Sequence, residues 1–162
     1  MKATLYATDT SSILDTVVSE AMAGRTLGSL LAEAKRQDPK NVSTPADVYA
    51  LCHHMGKRVT ECLMGLYLDA QNRLLVRTRI STGSLNTTRT HPREIMLPAI
   101  LHHAVGFILV HNHPSGTLVP SIDDIEFTKA IGRAGELMGI PLYDHVIVSR
   151  NGFISLKEKG LL

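Results

Sequence analysis

The sequence predicts a mixed α/β layer fold, and three observations predict it. Residues 62–68 and 106–110 are nearly continuous apolar runs, as in strands buried on both faces. Apolar residues at helical spacing precede, separate and follow those runs. Near the C-terminal end, Asn151-Gly152 stands between two apolar-rich runs, a hairpin signal. The order helix, strands, helix, strand, helix, strands belongs to layered α/β architectures.

Residues 1–40 read as a helical N-terminal extension. Ile13, Leu14, Val17 and Val18 recur at helical spacing, as do Leu27, Leu30, Leu31 and Ala34, with Gly24 between the two groups. The polar run from Arg36 to Asn41 reads as a linker, so the main domain is expected over 41–162. That domain opens on a helix with Thr44 as N-cap, Pro45 as first helical residue and Asp47 near its positive end. Val48, Leu51, Cys52 and Met55 mark its buried face, and Gly56 is the expected stop.

Residues 62–68 form the expected central strand, and Ala70-Gln71-Asn72 turns the chain. Residues 73–81 alternate, with Arg77 and Arg79 on one face and Val76, Thr78 and Ile80 on the other, so the arginines read as a solvated face. Residues 83–88 read as a polar loop. A helix is expected to start near His91-Pro92-Arg93-Glu94, with Pro98 kinking or breaking it. The buried strand from Gly106 runs straight into His111. After a loop, a helix opens at Ser121 with an inner stripe of Ile125, Thr128, Ile131 and Ala134, and Gly139 with Pro141 ends it. His145 falls at the start of the next expected strand, where it reads as a satisfied core histidine, with support of the site from behind a ligand as the alternative.

Composition narrows the function. The 162 residues fit one compact domain, and 44% hydrophobic content suffices for a core. A net charge of +2 with 4% aromatics and no Trp offers neither a basic stripe nor a stacking platform, which disfavours nucleic acid. The two cysteines, Cys52 and Cys62, lie among apolar residues and read as buried free thiols. The N-terminus lacks a signal peptide's apolar run, and no segment approaches the roughly 20 apolar residues that span a bilayer. A cytoplasmic protein without a membrane partner is expected.

The chemistry is concentrated between His111 and Asp124. Strand side chains alternate, so His111 and His113 point to one side and can share an ion. Asp124, one turn into the following helix, can supply a third ligand. Two imidazoles and a carboxylate suit zinc, and three protein ligands leave a position open for water, whose pKa such an ion lowers to roughly 7. Ser121-x-x-Asp124 is also a capping-box pattern, although Asp is shorter than the usual Glu and reaches back less well. The pairs His53-His54 and His102-His103 read as helix residues with one of each facing solvent.

His-x-His, seven residues, then Ser-x-x-Asp resembles the JAMM pattern of MPN-domain metallopeptidases. The longer string His111-Asn112-His113-Pro114-Ser115-Gly116, with Pro120, Ser121, Asp124 and Thr128, resembles the RadC family. His91-Pro92-Arg93-Glu94 and Asp144-His145-Val146-Ile147-Val148 extend the likeness, which covers about residues 43–162. It implies an MPN/JAMM sheet of the cytidine-deaminase-like kind flanked by helices, here in a compact form with a short helical lead. It further implies His111, His113 and Asp124 as zinc ligands, Ser121 as hydrogen-bond donor to the bound water or oxyanion, and an upstream glutamate as general base. The position before the first central strand corresponds to Glu61; Glu94 is the rival, otherwise a first-turn helix carboxylate. The function so implied is amide hydrolysis on a peptide or protein. The alternatives are an MPN scaffold without turnover and a DNA-repair-associated factor.

Overall fold

The computed structural model describes residues 41–83 and 90–162. The expected N-terminal helical extension and most of the polar loop after Gly83 lie outside the described residues. Helix α1 spans Pro45–Cys52 and continues as a 3₁₀ turn over His53–Lys57. Strands β1 (Cys62–Leu68) and β2 (Leu74–Thr82) follow, then α2 (Pro92–Leu101), β3 (Gly106–Asn112) and α3 (Ile122–Leu137). Strands β4 (Leu142–Ser149) and β5 (Gly152–Ser155) complete the order.

The five strands form one sheet in the order β2-β1-β3-β4-β5. Strand β1 is antiparallel to both neighbours, β3 and β4 are parallel, and β5 returns antiparallel to β4. A parallel pair needs a crossover, and α3 supplies it.

Period-two alternation sorts the strand residues into two cores. Cys62, Leu66 and Leu68 of β1, Ile108 and Val110 of β3, and Val146 and Val148 of β4 pack with Val48, Leu51 and Cys52 of α1. Leu63 and Tyr67 of β1 and Phe107 and Leu109 of β3 pack with Ile95, Met96 and Ala99 of α2 and Phe127 and Ile131 of α3. The sheet therefore separates α1 from α2 and α3. His111 and His145 share the second face with Leu109, while Asn112 lies on the first.

The caps hold each helix where the sequence starts it. Thr44 and Asp47 form a full capping box on α1, and Pro45 takes the first turn. Gly56 is not the end of α1, which yields to the 3₁₀ turn at His53. A Cβ on Gly56 would stand 2.4 Å from the Ser149 carbonyl carbon, so the glycine lets that turn press against β4. Pro98 does not break α2, which runs on to Leu101 and closes with His102 N–H donating to the Pro98 carbonyl at 3.1 Å. The chain then leaves α2 through His103, a left-handed residue at φ 52°. Helix α3 ends as expected at Gly139, φ +67°, where Gly139 and Ile140 N–H groups return to the carbonyls of Glu136 and Gly135. Its buried stripe is Asp124, Phe127, Thr128, Ile131 and Gly135, rotated from the expected one because the sheet meets the helix along Asp124 and Phe127.

Two further expectations shift. Arg77 is not a solvated strand residue, since its Nη1 donates to the Leu51 carbonyl at 3.0 Å. The C-terminal hairpin pairs Ser149 with Gly152, so Arg150 and Asn151 form its turn and Gly152 opens β5. Cys52 and Cys62 are buried free thiols. No helix among the described residues is long and apolar enough to cross a membrane.

Candidate metal centre

Strand β3 is buried along its whole length and delivers His111 at its end. Two residues on, His113 returns to the same face, where the two Nε2 atoms lie 2.9 Å apart. Asp124 comes from the first turn of α3, with Oδ1 3.3 Å from His111 Nε2 and Oδ2 3.4 Å from His113 Nε2. Glu61 approaches from the residue before β1. It completes a group with His111, His113 and Asp124 whose donor atoms all lie within 4.8 Å of one another.

Helix α3 aims Asp124 through its own cap. Ser121 accepts from the Asp124 backbone N–H at 3.1 Å, and the Ser121 N–H and hydroxyl each donate to Asp124 Oδ2 at 2.7 Å. The shorter aspartate thus reaches back fully, contrary to the expectation for its length. The Ser121 hydroxyl proton is directed at Asp124, which places this serine beside the group as Asp124's partner.

The connecting loop is tied at both ends of its turn. His113 Nδ1 faces the Thr117 carbonyl at 3.2 Å. Arg150 Nη2 donates to the Ser115 carbonyl at 3.4 Å, and Asn151 Nδ2 to the Gly116 carbonyl at 2.9 Å. Gly116 adopts φ +87°, a backbone that favours glycine, and a Cβ there would stand 3.0 Å from Arg150 Nε. On the other face of β3, Asn112 Nδ2 donates to the Thr60 carbonyl at 3.2 Å, directly before Glu61. The Glu61 carbonyl accepts from Gly83 N–H at 2.9 Å.

Burial and mutual charge set the protonation of the group. Burial holds His111 well below its ordinary pKa, and the neighbouring His145 adds to the effect. His113 is raised, first by its hydrogen bond to Asp124. Burial alone would lift Asp124, but the His113 hydrogen bond, the His111 charge and Ser121 together bring it below the ordinary carboxylate range. Burial pushes His145 down to about 4.

This donor set fits a divalent ion. Three ligands placed about 2.0–2.1 Å from a tetrahedral zinc stand about 3.3 Å from one another, close to the three separations here. The Thr117 carbonyl can only accept, so Nδ1 of neutral His113 carries the proton and Nε2 keeps its lone pair for a ligand. The pairing of two nitrogens with a carboxylate suits zinc among common ions.

The other candidates are elsewhere. Glu94 is exposed in the first turn of α2 and does not join the group. His53, His54, His102 and His103 are all exposed, so neither pair hides a member. His145 is a buried histidine with partners on both ring nitrogens, as expected of a core histidine, and it also touches the group. Strand β4 begins at Leu142, not beside His145, and so carries His145 inward, where its Nε2 lies 2.8 Å from His111 Nδ1.

A family model described as a RadC-like JAB domain matches residues 42–161. Over 138 residues the chain is 37% identical to a UPF0758 protein of Trichlorobacter lovleyi, covering 85% of this chain and 60% of the relative. A UPF0758 protein of Finegoldia magna is 40% identical over 138 residues, covering 85% and 62%. One from Methanosarcina acetivorans is 39% identical over 139 residues, covering 85% and 59%. The chain spans about six-tenths of the length of these curated relatives.

Proposed function

Because this chain belongs to the RadC-like JAB domain family, we propose that it is a zinc-dependent hydrolase that cleaves an amide bond in a peptide or protein. One observation carries the reading: Glu61, His111, His113 and Asp124, from three separate parts of the chain, bring their donor atoms within 4.8 Å of one another. A scaffold without turnover has no need to maintain that convergence.

His111, His113 and Asp124 would hold the ion. Zinc, when bound, supplies Lewis acidity toward water and the substrate carbonyl. Glu61 acts as general base: its carboxylate takes a proton from the attacking water and returns it to the leaving nitrogen as the C–N bond breaks. Ser121 keeps Asp124 oriented through the hydrogen bonds of the cap. Asn112, through Thr60, steadies the backbone that presents Glu61.

The test is zinc content by elemental analysis of wild type beside His113→Ala, followed by a panel of peptide and isopeptide substrates. About one zinc per chain, lost in the variant, together with cleavage of a panel member, is the expected result. Wild type that takes up no zinc after reconstitution would refute the hydrolase. Zinc uptake with no cleavage across the panel would favour the scaffold reading.

A further inference from the structure

We infer that Thr128 and His145 are positioning residues for the metal: with the Asp124 backbone they form a hydrogen-bond relay of fixed direction that holds His111 in its metal-binding tautomer. The inference rests on the proposed metal site and adds to it residues that are not ligands.

The direction follows from a count of protons. Thr128 Oγ1 lies 2.6 Å from the Asp124 carbonyl oxygen and 2.6 Å from His145 Nδ1. A carbonyl has no proton to give, so the single hydroxyl proton of Thr128 is committed to it. His145 Nδ1 must then donate to Thr128, which leaves Nε2 of the neutral ring as an acceptor. That acceptor lies 2.8 Å from His111 Nδ1, so His111 donates there. Nε2 of His111 is left bare, facing His113 Nε2 and Asp124.

The opposite direction fails at both ends. It would set the Thr128 and Asp124 oxygens lone pair to lone pair at 2.6 Å. It would also put a proton on His111 Nε2, where the ion must bind. Burial removes the alternative of water as a partner, since His111, His145 and Thr128 are each 0% exposed. The residues come from β3, β4 and α3, so the relay forms only when the crossover helix has docked on the parallel pair. Asp124 and Thr128 are one turn apart on α3, and the relay therefore starts at one proposed ligand and ends on the backbone of another.

The experiment measures zinc affinity by chelator competition for wild type, Thr128→Val and Thr128→Ser, with folding checked by circular dichroism. In parallel, long-range ¹⁵N–¹H NMR of the zinc-loaded wild type and Thr128→Val reads which ring nitrogen of His145 bears its proton. The expected result is a 10–100-fold loss of affinity in Thr128→Val, recovery in Thr128→Ser, and a His145 proton on Nδ1 in wild type that is lost from Nδ1 in the valine variant. Wild type that binds zinc while Thr128→Val binds equally tightly overturns the relay alone, as does a wild-type His145 proton on Nε2. Wild type that binds no zinc overturns the proposed function and the relay with it.

Discussion

Ser121 and Asp124 are locked to each other by three hydrogen bonds of 2.7 to 3.1 Å, while the same Asp124 carboxylate faces both histidine Nε2 atoms. One side chain thus ends a helix and closes the candidate metal centre. Ser121→Ala should lower stability by about 1 kcal/mol through the lost cap and weaken zinc binding by releasing Asp124. Asp124→Asn should keep most of the fold and lose zinc. Chemical denaturation and zinc titration separate the two effects, and undiminished zinc binding in Asp124→Asn would refute the ligand assignment.

Glu61 and Glu94 differ in place, and a paired substitution distinguishes them. Glu61→Gln should retain zinc and lower peptide hydrolysis by at least about 10²-fold, the usual worth of a positioned base. Glu94→Gln, on the exposed turn of α2, should leave the rate unchanged. The reverse pattern in a rate assay would move the base to α2.

The buried histidines make the metal-free protein sensitive to acid. Burial places His145 at about 4 against an ordinary 6.5 and also lowers His111. Between those values the unfolded chain binds more protons than the folded one, so stability falls as pH drops from 6.5 towards 4. His113 works in the opposite sense: its raised pKa adds stability below 6.5 that is lost as pH rises through the raised value. The fall of His145 to about 4, with His111 and His54 lowered in the same sense, sets the direction, and thermal melting from pH 7.5 to 4 should show the midpoint declining below about pH 6.5. A flat profile would contradict the burial of these rings.

Asn112 acts from the face of the sheet opposite the candidate ligands. Asn112→Ala removes the part-buried bond to the Thr60 carbonyl, with an expected cost of about 0.5–1.5 kcal/mol. Zinc affinity should be kept while turnover falls, because Thr60 leads directly into Glu61. Equal turnover in the variant would show that Glu61 is placed without this bond.

His103 holds a left-handed conformation at the end of α2. His103→Gly should raise stability by about 0.5–1 kcal/mol, since glycine takes that backbone without a Cβ penalty. Denaturant unfolding checks the sign, and a loss would mean that the imidazole contributes more than its backbone costs.

Features encoded over a few neighbouring residues were legible in the sequence. Thr44 with Asp47, Ser121 with Asp124, and the apolar run at Cys62–Leu68 all carry their signal within one turn or one strand. His111, His113 and Asp124 were legible because strand alternation and one helical turn suffice to bring them together. Glu61 needed the family likeness, because its approach depends on β1 lying against β3. Arg77 and the true stripe of α3 were misread for a related reason. Each is decided by what a distant element presents: the Leu51 carbonyl and the sheet surface. The hairpin was recognised but shifted by one residue, since Gly152 serves as the first strand residue at φ +131°.

The bonds from Arg150 and Asn151 to the loop at Ser115 and Gly116 also bear on when disorder is lost. They tie the middle of a connection that would otherwise have many shapes to a hairpin already fixed in the sheet. The conformational entropy of that connection is surrendered when the chain folds. An ion arriving later meets side chains already held in place, and more of its binding energy remains as affinity.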